Sequence, residues 1–173
     1  FKRVGCRAMG TSRGFTLIEL LVTIAVLAII ATMAAPSFGN LISEQKLNSS
    51  ARELVMSINQ AKSQAALKKT TVALCLNRTN TDNDFTKGEC ATAVLSDYAT
   101  LTSAQQTEAQ KTRVISVQVN PEVGVEASSA TAVLFNDIGS AASASTFSFC
   151  NSSKQRVVSV TRLGIISQTS GAC

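Results

Sequence analysis

The chain has 173 residues, room for one ordinary domain beside an N-terminal segment but not for two. Its net charge of +5 and pI near 9.1 owe most to Lys2, Arg3, Arg7 and Arg13; without these, 12 basic residues face 11 acidic ones, which removes the usual compositional case for a nucleic-acid binder. Histidine is absent, taking with it the commonest general base and zinc ligand. No nucleophile–base or metal constellation replaces it, so neither an enzyme nor a cofactor is expected.

Residues 1–14 are short, basic and end in Gly14, and no carboxylate precedes Glu19. From Phe15 to Ala35 the chain is apolar apart from Glu19 and three threonines. About 21 residues at ~1.5 Å each give roughly 31 Å as a helix, enough for a hydrocarbon core about 30 Å thick. The basic flank keeps its own end in the cytoplasm. A cleaved secretory signal has a shorter apolar stretch, about 7–15 residues. A plain anchor gains nothing from Glu19, since an acid near a bilayer centre costs about 2.5–3.5 kcal/mol.

Gly14-Phe15-Thr16-Leu17-Ile18-Glu19, behind a basic leader and ahead of an apolar helix, resembles the processing signal of type IV prepilins and type II secretion pseudopilins. The resemblance implies that a prepilin peptidase cuts after Gly14 and N-methylates Phe15. It also implies that Glu19 pairs with the N-terminal amine of a neighbouring subunit; buried carboxylate and ammonium are each costly alone and offset one another when paired. Pro36 stands where such helices often carry a kink and lacks a backbone donor. The expected organisation is a leader over 1–14, a transmembrane and assembly helix over 15–36, and a periplasmic domain over 37–173.

Beyond Pro36, Leu47, Leu54, Ile58, Ala61 and Ala65 recur at helical spacing, while Glu44, Lys46, Arg52, Lys62 and Lys69 fall mostly off that stripe. One helix from Thr16 to about Lys69 is predicted, near 80 Å long, with its stripe packed on the protein's own domain. From Thr71 the period changes. Residues 72–76, 93–95, 113–119, 131–135, 146–150, 156–161 and 164–167 read as short strands separated by Asn, Asp, Gly and Ser. Thr102 to Thr112 and Ser140 to Ser145 read as loops, with room for a helical turn in the first. A long helix followed by strands predicts an α+β fold, the helix packed on antiparallel sheet.

Cys6 lies in the leader, leaving Cys75, Cys90, Cys150 and Cys173. Four cysteines allow three pairings. Cys75–Cys90 and Cys150–Cys173 are preferred because each closes a short local loop. No pair has zinc-finger spacing, and disulfides match an oxidising compartment such as the periplasm. Asp82-Asn83-Asp84 suggests a calcium loop, but Lys87 and Ala93 occupy the positions where an EF-hand needs Gly and Glu.

After Asp137 the side chains include no carboxylate, while Lys154, Arg156 and Arg162 are basic. They could hold phosphates if they share a strand face, although three charges bind little at physiological salt. The whole arrangement is similar to the GspH/FimT/FimU group of minor pilins and pseudopilins. Some FimT proteins bind DNA through a C-terminal Gly-Arg-x-Arg motif; here Ile165 and Ser167 follow Gly164 where the arginines would stand. The resemblance therefore implies a FimU-like minor pilin that joins other minor pilins and the major pilin to initiate assembly at or near the pilus tip. It would sit first in the inner membrane and later at the cell surface. A DNA-binding pilin for natural transformation and a type II secretion pseudopilin are the alternatives.

Overall fold

Leu47, Ala51, Leu54, Ile58, Ala61 and Ala65 all lie buried along one side of helix α1 (Leu17–Lys68), the outcome that their three- and four-residue spacing requires. The computed structural model describes residues 14–173, and for 33–37 the backbone alone. The chain divides between Gly39 and Asn40 into two compact units. In the second unit α1 ends at Lys68; the next residue, Lys69, has a left-handed backbone (φ 51°), and the Thr70 N–H donates to the Ala65 carbonyl, a common way to satisfy a helix's last acceptors.

Strands β1 (Val72–Leu76), β2 (Val114–Val117) and β4 (Ala132–Phe135) form a three-stranded sheet in the order β2-β1-β4. Every residue of β1 is buried. Val72, Leu74 and Leu76 join the cluster on α1, whereas Ala73 and Cys75 join Cys90, Ala91, Leu95, Tyr98 and Ala109 on the other side. The sheet is thus a middle layer, with α1 on one face. On the other lie α2 (Lys87–Val94) and α3 (Ser103–Thr112). A second sheet, in the order β3-β5-β6-β7, comprises β3 (Gly124–Val125), β5 (Ser145–Asn151), β6 (Lys154–Val160) and β7 (Ile166–Ala172). It buries Phe147, Phe149, Val158 and Val160 in the same cluster as the α1 stripe. Each such side chain contributes about 1.5–3 kcal/mol when fully buried.

The α+β class with a long N-terminal helix on sheet is as expected, and three local readings are corrected. Ala93 and Val94 end helix α2 instead of forming a strand. Thr86 starts that helix: its Oγ1 accepts from the Glu89 N–H at 3.3 Å, and Glu89 accepts from the Thr86 N–H at 2.7 Å. Residues 103–112 are a full helix and not a loop, begun by Thr102, whose N–H donates to Gln105 at 2.9 Å. Both are capping boxes, and α3 is rich in good helix formers. Lastly β1 and β2 run parallel, Ala73 opposite Val114, so the first sheet is mixed; α2 and α3 supply the long crossover that a parallel pair needs.

Tight turns complete the second sheet. Ser152 and Ser153 both have positive φ between β5 and β6, the geometry of a two-residue hairpin turn. Between β6 and β7, Gly164 has φ 75° and sits so close to Lys62 that an added Cβ would lie 2.9 Å from its Cε. The positive φ is what favours glycine there, since the end of the Lys62 side chain is free to move aside.

Candidate functional site

In the first unit Gly14 precedes the helix, and Phe15 is 84% exposed. Thr16 and Glu19 make a third capping box: the carboxylate accepts from the Thr16 N–H at 2.9 Å and from its hydroxyl at 2.8 Å, and Thr16 Oγ1 accepts from the Glu19 N–H at 3.3 Å. The Thr23 and Thr32 hydroxyls donate back to the carbonyls of Leu20 and Ile29 at 2.8 and 2.7 Å. The hydroxyls of this stretch therefore need no water. Leucines, isoleucines and valines from Leu17 to Ile30 are exposed on every side of it. A helix apolar all round calls for an apolar surrounding, either a membrane or other protein. Among the described residues no helix is long and apolar enough to cross a membrane, the run with described side chains stopping at Thr32. Lys2, Arg3, Cys6, Arg7 and Arg13 lie outside the described residues, as does the side chain of Pro36.

In the second unit the four cysteines form Cys75–Cys90 and Cys150–Cys173. The first ties β1 to α2; the second ties the end of β7 to β5. Glu126 lies beside Cys150 and Cys173, but both sulfurs are committed to the disulfide and offer no thiolate to a metal. The Asp82-Asn83-Asp84 loop is held by its own contacts. Asp82 accepts from the Asp84 N–H at 2.9 Å, and Asn83 accepts from the guanidinium of Arg78.

Lys154 and Arg156 share a face of β6, and that face is already occupied by a carboxylate. Glu44 of α1 accepts from Lys154 Nζ at 2.5 Å and from Arg156 Nη2 at 3.3 Å, while Arg156 Nε donates to Asn48 at 2.7 Å. Arg162 is not with them, because β6 stops at Val160 and Arg162 stands in the following turn. The three basic residues do not make one phosphate-binding face. They make a clamp between α1 and the second sheet, plus an exposed arginine. Nothing in the sequence signals Glu44 as the partner, since it lies 110 residues from Lys154. The capping boxes, by contrast, are written as Thr-x-x-Glu or Thr-x-x-Gln at 16–19, 86–89 and 102–105.

The clamp has a pH consequence. The hydrogen bond from Lys154, then its charge, then Arg156 hold the Glu44 carboxyl below its usual value of 4.5. A carboxylate lowered in the folded state adds stability above its unfolded value, and that stability is lost as pH falls through the lowered folded value. Thermal melts taken from pH 6 downwards should therefore decline less steeply for Glu44→Gln than for the unaltered chain. Glu89 and Asp97, also lowered by their partners Thr86 and Arg113, leave a residual slope. Parallel declines would remove Glu44 from the acid response.

A family model described as Type II transport protein GspH matches residues 50–164, and one described as Prokaryotic N-terminal methylation motif matches residues 9–35. No curated protein matches the chain. Among solved structures, the type IV minor pilin FimU of Pseudomonas aeruginosa (strain PAO1) is similar at 17% identity and a TM-score of 0.43, over 73% of this chain and 90% of that one. With the GspH model matching more than half of its length, and a methylation motif ahead of it, the chain belongs to the GspH family.

Proposed function

We propose that this protein is a minor type IV pilin, cut after Gly14 and methylated on Phe15, that helps initiate pilus assembly and is incorporated at or near the tip. The observation that carries the reading is the methylation motif over residues 9–35, joined to a first stretch of α1, residues 17–32, that is apolar apart from its threonines and the one charge of Glu19. In this reading residues 15–36 cross the inner membrane once, with the N-terminus cytoplasmic and residues 37–173 in the periplasm before assembly. A prepilin peptidase, other minor pilins and the major pilin are its partners. Two disulfides suit that compartment.

A second reading, a pseudopilin of type II secretion, is favoured by the family's own description. DNA binding through Lys154, Arg156 and Arg162 draws no support from the geometry, because Glu44 pairs with two of the three and the third stands apart from them. One deletion strain separates these roles when scored for surface pili, for secreted type II substrates and for DNA uptake. Lost pili with normal secretion is the result expected. Normal pili with lost secretion would transfer the protein to the secretion system, and normal pili with lost uptake to DNA reception. In the same background, Gly14→Val should abolish leader removal, read as a band that fails to shift on an immunoblot; a normally processed variant would contradict the assigned cleavage site.

A further inference from the structure

We propose that the end of the second unit at which α1 stops is a docking surface for an anionic lipid bilayer, entered by three aliphatic side chains and held by the cations beside them. Two turns meet there. One joins β4 to β5 through Asp137, Ile138 and Gly139; the other joins β6 to β7 through Arg162, Leu163, Gly164 and Ile165. Lys62 of α1 fastens them together. Its Nζ donates to the Gly164 carbonyl at 2.6 Å, and its own carbonyl oxygen lies 3.2 Å from where a Cβ on Gly139 would stand. The Ala141 N–H donates to the Arg162 carbonyl at 3.0 Å. Both glycines are buried, whereas Ile138, Leu163 and Ile165 beside them are 71%, 79% and 60% exposed.

Turn tips ordinarily carry Gly, Pro, Asn, Asp or Ser, and a single exposed aliphatic residue calls for no explanation. Three of them on two adjoining tips form one apolar projection, the kind of surface that marks an interaction site. The turns themselves are closed by backbone: the Gly139 N–H donates to the Asn136 carbonyl at 2.9 Å and the Gly164 N–H to the Thr161 carbonyl at 2.8 Å. The projection is therefore formed before any partner arrives, and little order has to be gained on binding.

Charge selects the occupant. Arg162 precedes Leu163, Lys62 lies under both turns, and Lys69 follows three residues after Ala66, whose Cβ also borders Gly139. The carboxylate beside them is Asp137, and none of these four is in an ion pair among the described residues. Lys154 and Arg156 differ in this, since Glu44 already engages them. An anionic bilayer answers both halves of the surface: its phosphates draw the cations, and its acyl chains take up the aliphatic tips. Nucleic acid would answer only the cations, and three charges bind it weakly at physiological salt. A folded protein would need a recess shaped to the projection, which a fluid bilayer does not. The surface stands at the opposite end of the second unit from Asn40, roughly 33 Å along α1.

Full-length protein carried in nanodiscs of phosphatidylcholine, with a polarity-sensitive fluorophore on Leu163→Cys, reads whether that tip enters lipid. Adding vesicles with roughly one part in three of phosphatidylglycerol should shift the emission to the blue. The same fluorophore on Met56→Cys, exposed on α1, should not respond. No shift at Leu163→Cys overturns the proposal, as does an equal shift at Met56→Cys or with vesicles of phosphatidylcholine alone. Sedimentation of the nanodiscs with the anionic vesicles gives a second reading. Ile138→Ser, Leu163→Ser and Ile165→Ser together should cut the bound fraction about tenfold or more. Lys69→Gln with Arg162→Gln should cut it severalfold and flatten its dependence on salt. All five positions are exposed, so both variants should melt with the unaltered chain. Unchanged binding by the triple serine variant would overturn the proposal. So would duplex DNA that binds the nanodiscs, displaces the vesicles and is indifferent to the serine changes.

Discussion

Replacing Phe147 with alanine is expected to destabilise the second unit by about 3–5 kcal/mol, the range for deleting a buried aromatic ring. Phe147 is fully buried on β5, opposite Val158 of β6, in the cluster that also holds Leu54 and Ile58 of α1. For a domain of this size the loss corresponds to a fall in Tm of roughly 10–20 °C. Residues 40–173, a compact unit in themselves, suit calorimetry of the variant beside Leu67→Ala. Leu67 is 83% exposed, and its truncation should change stability by no more than about 0.5 kcal/mol. Equal melts for the two variants would mean that the second sheet does not share a core with α1.

The parts of this fold that are legible in the sequence are those written in local periodicity. The α1 stripe is one, because a helix repeats its buried face every three or four residues whatever it packs against. The cysteine pairs are another, since short loops restrict the partners each sulfur can reach. The helix at 87–94 was open to misreading because Ala93-Val94-Leu95 has strand-like composition, and the Thr86–Glu89 box that decides the matter lies at the helix's other end. The parallel pairing of β1 with β2 has no local signature at all; it depends on how α2 and α3 fill the connection. The basic residues fail as a site for a related reason. Their spacing places Lys154 and Arg156 on one face of a strand, but whether that face meets solvent or a carboxylate is decided by Glu44, on another element.

Glu19→Gln is expected to be processed normally and yet to be largely excluded from filaments. The residue has two roles that a substitution by alanine would confuse. It closes the capping box with Thr16, and in the proposed assembly it meets the amine of a neighbouring Phe15. Glutamine is as good as glutamate in a capping box, so the helix start survives while the negative charge is lost. An ammonium left without its partner in an apolar surrounding costs about 3–5 kcal/mol, several hundredfold or more in incorporation at the upper half of that range. Thr16→Ala makes the complementary cut: it breaks the box, costing about 1 kcal/mol, and leaves the carboxylate in place. Immunoblots of sheared filaments against the membrane pool read both variants at once. Exclusion of Glu19→Gln with near-normal incorporation of Thr16→Ala assigns Glu19 to pairing between subunits. The opposite pattern assigns it to its own helix, and the contact that draws this subunit into a filament would then have to lie in the apolar surface between Leu17 and Ile30.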